Sequence, residues 1–483
     1  MPDAATINPT LFQALERAGQ LHLLTFWDSL DAAARDRLAR QLADLDLTAV
    51  PALVAGYVKN KPHFALPASV EPAPYFPFQS GAGGPTTHAW DKRAMKAAGE
   101  SLLRAGQVAA FVVAGGQGSR LGFDGPKGCF AAGAVTGKPL FQIFAEQILA
   151  AGRKFGKAVP WYIMTSPLNH APTVAFFEQH NYFGLARADV MFFPQGVLPS
   201  FDMSSGKILL AGKDEIATNP DGHGGSITAL HKSGALADMK RRGIRHISYF
   251  QVDNPSVKVL DPVFLGLHAA SRESSAEMSS KMIPKAYPEE KLGVFCKVNG
   301  KLDVIEYSDL PPDLSAQRLP GGSLRFLAGS IAIHVMSVEF VEKLATDPAF
   351  SLPYHRAEKK ITHIDPATGK LVEPTTNNGV KLERFVFDAL PKARASIVYE
   401  TDRVEEFAPI KNASGVDSVQ SSKELQTQRA ARWLESIGVS IPKKPDGKPD
   451  CTLEISPLTA LEPEDLNAAT LPKSIAPGAK LAL

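Results

Sequence analysis

The sequence predicts an α/β fold: a doubly wound, mostly parallel sheet with a helical N-terminal region and a small C-terminal domain. Three observations carry that expectation. Short, continuous apolar runs alternate with helical periodicity between about residues 108 and 252, as buried parallel strands with covering helices require. Leucines recur at three- and four-residue spacing before residue 50, as on one face of a helix. A Lys/Pro/Gly loop, IPKKPDGKPD, interrupts the tail beyond a last helical stretch. The expected boundaries are 1–100 for the helical region, 101–412 for the core and 413–483 for the C-terminal domain.

The elements follow in order. Leu11, Leu15, Leu21, Leu24, Phe26, Leu30, Leu38 and Leu42 give the first region its amphipathic pattern, with Asp31 placed to cap a helix in DAAARDRLARQL. The stretch PHFALPASVEPAPYFPFQSGAGGP reads as an ordered linker or wrapping loop. The core then offers strands at 108–114, 161–165, 190–193 and 247–252, and helices at 140–155, 172–180 and 226–241. Beyond about residue 280, GVFCKV, LDVIEY and RFLAGSIAIHVM alternate in polarity and predict antiparallel additions to the sheet. A helix is expected over 425–437.

Composition limits the function classes. Of 483 residues, 44% are hydrophobic and 21% charged, ordinary for a soluble globular chain. Lys plus Arg number 52 and Asp plus Glu 50, a net charge of +2, which argues against a protein held to nucleic acid by bulk charge. An anionic ligand must be held by a local cluster of cations. Cys129, Cys296 and Cys451 lie far apart with no CxxC pair, which disfavours a thiolate zinc site and suits a reducing compartment. The opening MPDAATINPTLFQALERAG lacks the pattern of a signal peptide, and no apolar run is long enough to span a bilayer. The expectation is a cytoplasmic, soluble protein with neither a nucleic-acid nor a membrane partner.

The strongest local signal is FVVAGGQGSRLGFDGPKG, residues 111–128, in which a buried strand runs into glycines. Glycines after a parallel strand let backbone N–H groups approach phosphate oxygens. No GK[ST] follows, so this is not a P-loop, and Leu121 stands where a dinucleotide fingerprint has its third glycine. The stretch AAGAVTGKPLFQIF, where an acidic ribose ligand is expected, offers none before Glu146, which also speaks against a nicotinamide dinucleotide. Arg120 and Lys127 beside the glycines suit a nucleoside triphosphate. Asp253 closes a strand in QVDN, where a carboxylate faces the ligand crevice of an open sheet. By spacing alone it is either a Mg²⁺ ligand or a turn aspartate. Asp261, in LDP, reads as a helix cap.

GGQGSRLG followed by PKG resembles the nucleotide loop of sugar-nucleotide pyrophosphorylases. The closest likeness is to the eukaryotic-type UDP-N-acetylglucosamine pyrophosphorylases within the UDP-sugar pyrophosphorylase family. FWDSL, WYIMTS, FFPQGVLPSFD, PDGHGG, QVDNPSVKVLDPVFLG, VIEYSDL, NNGVKLERFVFDAL and EEFAPIKNASGVD resemble that group in the same order. The resemblance implies a nucleotidyltransferase with a Rossmann-like core. Its substrates would be UTP and a sugar 1-phosphate (UDP-sugar and pyrophosphate in reverse), its cofactor Mg²⁺ held by Asp253. It implies that Arg120, Lys127 and Lys411 are catalytic. Ala114, Gly115, Gly116, Lys127, Gln195, Gly222, Asp253 and Lys381 would bind the nucleotide, with Gln195 reading the uracil. His223, Glu306, Tyr307, Ser330 and Lys411 would bind the sugar phosphate.

Two positions depart from the acetylhexosamine pattern: His223 and Ser330 stand where that group has asparagines facing the sugar. Glucose 1-phosphate or a broader set of sugar phosphates is therefore the alternative to N-acetylglucosamine 1-phosphate. A non-catalytic binding protein on the same scaffold would be expected to lack Arg120, Lys127 or Asp253. All three are present.

Overall fold

VAAFVV has no polar side chain to offer water, and Val108–Val113 forms a strand with nearly every residue buried. It lies in a ten-stranded sheet of the computed structural model, which describes residues 7–61, 67, 69–81, 83, 84 and 86–483. Contacts divide the chain into two compact units, one of Met1–Ala65, Gln195–Thr228 and Leu352–Val386, the other of Leu66–Pro194, Ala229–Ser351 and Phe387–Leu483.

The second unit holds the large sheet. Its parallel run is His246–Gln251, Val108–Val113, Trp161–Thr165 and Val190–Pro194, in that spatial order. Ala328–Ser337 adds antiparallel to His246–Gln251 and carries Met278–Pro284 and Val294–Val298 antiparallel to itself. Lys301–Ile305 and Val70–Pro72 flank Val294–Val298, and Ile397–Glu400 pairs parallel with Met278–Pro284. The α/β core and its late antiparallel additions are thus as expected. The helix Leu140–Phe155 and the strand Trp161–Thr165 keep their predicted bounds. Phe141, Trp161 and Phe177 meet beneath the sheet, with the Phe141 and Phe177 ring centroids 5.0 Å apart. Each such buried ring contributes about 1.5–3 kcal/mol relative to exposure.

One expected helix is divided. The stretch 226–241 is two helices, Gly225–Lys232 and Ala235–Arg241, divided at Gly234, whose φ of +81° ends the α-helical run. Asp261 caps Pro262–Ala270 as expected, accepting from the Val263 N–H at 2.9 Å. The C-terminal helix Val419–Ser436 is longer than predicted and buries Ala430, Ala431 and Leu434 against Leu453 and Ile475.

In the first unit the N-terminal periodicity resolves into Pro9–Arg17 and Ala32–Asp44, and the Asp31 carboxylate accepts from the Ala34 N–H at 2.8 Å. Leu15, Leu23, Leu24, Leu38 and Leu42 pack on Phe201, Val380 and Leu382 of a small antiparallel sheet. That sheet orders His355–Lys359, Gly379–Glu383 and Phe201–Asp202. Of the Pro/Gly-rich stretch, residues 62–66, 68, 82 and 85 lie outside the described residues. No helix among the described residues is long and apolar enough to cross a membrane.

Candidate functional site

In the second unit, the chain leaves the Val108–Val113 strand through Ala114, which is fully buried, and opens into the glycine loop. The loop is a hairpin-like fold-back. Gly118 N–H donates to the Gly125 carbonyl at 2.9 Å, and Lys127 N–H to the Gly116 carbonyl at 3.0 Å. Gly128 must be glycine because a Cβ there would sit 2.1 Å from the Phe141 ring. Among the described residues, no acceptor meets the N–H groups of Gly115, Gly116 or Gln117, so these donors are unspent. Arg120 is exposed on the short turn Ser119–Leu121, and Lys127 is half-buried on Lys127–Cys129. Neither side chain makes an ion pair among the described residues. Unspent N–H donors beside two cations without ion-pair partners among the described residues have the chemistry a polyphosphate requires. Burial pushes the nearby Cys129 thiol up to about 12, so it offers no nucleophile.

Asp253 lies just past His246–Gln251, the strand beside Val108–Val113, and Val252 N–H donates to the Val113 carbonyl at 3.2 Å. The ends of these two parallel strands therefore bring Asp253 beside the start of the glycine loop, the usual ligand position in an open parallel sheet. Ile410 N–H donates to the Asp253 carbonyl at 2.8 Å, which brings the next residue, Lys411, to the same edge. Lys411 Nζ is 3.3 Å from the Asp417 carboxylate. The Asp253 carboxylate makes no ion pair or hydrogen bond to another described residue. No three His, Cys, Asp or Glu side chains converge among the described residues. One unspent carboxylate fits magnesium, which takes one or two carboxylates and completes its shell with phosphate oxygens and water.

The antiparallel part of the same unit carries Glu306, Tyr307 and Ser330. Glu306 follows Lys301–Ile305, and a Cβ on Gly293 would lie 3.1 Å from its carboxylate. Ser330 N–H donates to the Gly293 carbonyl at 2.8 Å, so Gly293 brings Glu306 and Ser330 together. Tyr307 is 49% exposed.

The first unit gathers Gln195, Gly222, His223 and Lys381. Gln195 is buried, and Asp221 N–H donates to the neighbouring Gly196 carbonyl at 3.3 Å. Gly222 has φ +79°, and a Cβ on it would sit 2.4 Å from the Arg384 carbonyl, so both torsion and space demand glycine. Arg384 locks the turn: its guanidinium is 3.0 Å from the buried Asp221 carboxylate, and its carbonyl accepts from Gly224 N–H at 2.7 Å. Lys381 is half-buried on Gly379–Glu383, opposite Ala357. His223 stacks on Phe385 with centroids 5.1 Å apart, and its Nδ1 accepts from Val386 N–H at 3.1 Å. That bond fixes the neutral tautomer, leaving Nε2–H as the donor.

Burial and the neighbouring His355 push His223 down to about 4 from its ordinary 6.5. The folded value lies below the unfolded one, so the unfolded chain takes up the proton first. The stability is complete above about pH 6.5 and is lost as pH falls towards 4. The shift corresponds to about 3 kcal/mol. His223→Phe keeps the stacking and removes the titration. Urea unfolding at pH 7 and pH 4.5 is expected to show a smaller acid loss in this variant than in the parent. Equal losses would remove His223 from the account, since His246, also pushed down to about 4 by burial, is common to both.

Several residues that build these sites were not singled out by sequence. Asp221 and Arg384 lie inside recognised motifs, PDGHGG and NNGVKLERF, but only their neighbours carried an evident role. The fully buried Lys281 reaches Asp261 and Glu406, each at 2.6 Å. Asn254 ties that cluster to the strand end by donating to the Glu406 carbonyl at 2.7 Å. Asn169, behind the glycine loop, likewise carries no motif signal.

Residues 86–432 match the family model described as UTP--glucose-1-phosphate uridylyltransferase. The chain is 35% identical over 491 residues to UDP-N-acetylglucosamine diphosphorylase 2 of Arabidopsis thaliana, covering 97% of this chain and 93% of that one. To the UDP-N-acetylglucosamine pyrophosphorylase of Saccharomyces cerevisiae it is 34% identical, covering 89% and 91%. Among solved structures, the uridine diphosphate N-acetylglucosamine pyrophosphorylase of Trypanosoma brucei superposes with a TM-score of 0.79 at 27% identity, covering 97% of each chain. A UDP-glucose phosphorylase from the same organism shares the fold, with a TM-score of 0.59 at 17% identity over 90% of this chain and 87% of that one. With a family match over residues 86–432 and relatives 34–35% identical over nearly its full length, the chain belongs to the UTP–glucose-1-phosphate uridylyltransferase family and is a nucleotidyltransferase.

Proposed function

We propose that the protein joins UTP and N-acetylglucosamine 1-phosphate into UDP-N-acetylglucosamine and pyrophosphate, and catalyses the reverse. The observation that carries the reading is the glycine loop at the end of a parallel strand, where N–H donors and the Arg120 and Lys127 side chains have no partners among the described residues. The names of the relatives over nearly the full chain support the acetylated sugar. Three free cysteines support a cytoplasmic setting.

A phosphate oxygen of the sugar phosphate attacks the α-phosphorus in line. The bond from that phosphorus to the oxygen bridging to the β-phosphate breaks, and pyrophosphate leaves. The attacking phosphate has its second pKa at about 6, so no general base is required. Catalysis is positioning and charge stabilisation. Gly115, Gly116 and the loop cations hold the triphosphate, and Arg120 and Lys127 meet the charge on the departing pyrophosphate. Lys411 approaches the sugar phosphate and Lys381 adds positive charge at the nucleotide. Gln195 and Gly222 hold the base, the side-chain amide offering donor and acceptor to uracil. Glu306 and Ser330 bond sugar hydroxyls, Tyr307 packs on the sugar face, and His223 donates from Nε2. Magnesium, when bound through Asp253, supplies charge neutralisation across the phosphate oxygens.

His223 and Ser330 favour a second reading, in which glucose 1-phosphate is also accepted. A pyrophosphate-release assay across nucleotides and sugar 1-phosphates tests both. UTP is expected to exceed ATP, CTP and dTTP by at least about tenfold in kcat/KM. Turnover with ATP comparable to UTP removes the uridylyl assignment. Activity with glucose 1-phosphate and none with the acetylated sugar removes the sugar assignment.

A further inference from the structure

Asn169 is fully buried in the turn that follows the Trp161–Thr165 strand. Every polar atom of its amide is spent. Oδ1 accepts from Ser166 N–H at 2.7 Å, while Nδ2 donates to the Ala114 carbonyl at 3.0 Å and to the Gly116 carbonyl at 3.3 Å. The Gly116 carbonyl also accepts from Lys127 N–H at 3.0 Å. Only this orientation of the amide satisfies the Ser166 donor and the two loop acceptors together.

In a trans peptide the C=O and the following N–H point in opposite directions. Holding the Ala114 carbonyl towards Asn169 therefore aims the Gly115 N–H away from it. Holding the Gly116 carbonyl does the same for the Gln117 N–H. Those two donors have no acceptor among the described residues. Glycine-rich backbone has many alternative torsions, and without an anchor these peptide units would rotate. We propose that Asn169 is a positioning residue that fixes the direction of the Gly115 and Gln117 N–H groups, and the seat of Lys127, towards the triphosphate. It does not touch the substrate. The role rests on the uridylyltransferase reading only in that the ligand of the loop is taken to be a polyphosphate.

The test is Asn169→Leu, which keeps the volume and removes the hydrogen bonds. KM for UTP and Ki for inorganic pyrophosphate are expected to rise at least about tenfold, while KM for the sugar 1-phosphate stays within about twofold. A residue that mattered only for packing would raise both KM values together, or lower the melting temperature without moving either. Either result overturns the proposal. If the leucine variant does not fold, Asn169→Asp keeps the acceptor for Ser166 and sets a carboxylate oxygen against the two carbonyls; the same shifts are expected from it. Calorimetric titration with inorganic pyrophosphate separates this inference from the functional reading. A parent that binds pyrophosphate more tightly than the variant but transfers no uridylyl group removes the reaction and keeps the anchor. A parent and a folded variant that bind pyrophosphate equally remove the anchor.

Discussion

Arg120→Ala is expected to lower kcat by about 100-fold or more, with the melting temperature unchanged. The side chain stands exposed on the Ser119–Leu121 turn and makes no ion pair or hydrogen bond among the described residues. Truncating it removes no packing, so the loss falls on chemistry. Charge builds on the departing pyrophosphate in the transition state. A guanidinium carried on a short turn beside the glycines can meet that charge with two parallel hydrogen bonds. Because the interaction strengthens in the transition state, kcat and kcat/KM are expected to fall together and KM for UTP to change little. Arg120→Lys retains the charge but loses the planar fork, so an intermediate rate is expected. If KM alone rises at constant kcat, Arg120 merely binds UTP.

The core strands were legible because a strand buried on both faces leaves a continuous apolar run. VAAFVV and WYIMT have no other stable place in a soluble chain. The break at Gly234 was not, because the apolar spacing of the two helices continues across Ser233 and Gly234 and only the left-handed glycine separates them. In the sites, residues within unusual motifs were legible by their chemistry. Asn169 was not, since an asparagine after a strand reads as a turn residue and its partners are main-chain carbonyls more than fifty residues earlier. Lys281 and Glu406 were hidden for a related reason: charged side chains are expected in water, and nothing local says that these two are fully buried against each other. The small sheet draws Phe201–Asp202 and Gly379–Glu383 from distant parts of the chain, a pairing that local periodicity does not encode.

Asp253→Asn is expected to reduce Mg²⁺-supported turnover by about 1000-fold, equivalent to about 4 kcal/mol. The substitution keeps size and shape, and the backbone around it is held independently of the carboxylate. The Asp253 carbonyl accepts from Ile410 N–H, and Val252 N–H is paired with Val113. Asn254 donates to the Glu406 carbonyl and its Oδ1 accepts from Ala408 N–H at 3.1 Å. Glu406 in turn grips Lys281 with neither exposed. Breaking into that buried cluster would cost stability, because a charge would be left unpaired. Changing Asp253 leaves the cluster intact, so the melting temperature is expected to stay within about a degree of the parent. Lys411 keeps its place beside the strand end, so binding of the sugar phosphate is expected to survive. What disappears is a carboxylate at the ends of the parallel strands that has no partner among the described residues and suits a divalent ion. Titration with Mg²⁺ in the presence of UTP is expected to show the metal requirement displaced to higher concentration along with the lost rate. Near-parental turnover at ordinary Mg²⁺ would assign Asp253 to the turn and place the metal elsewhere.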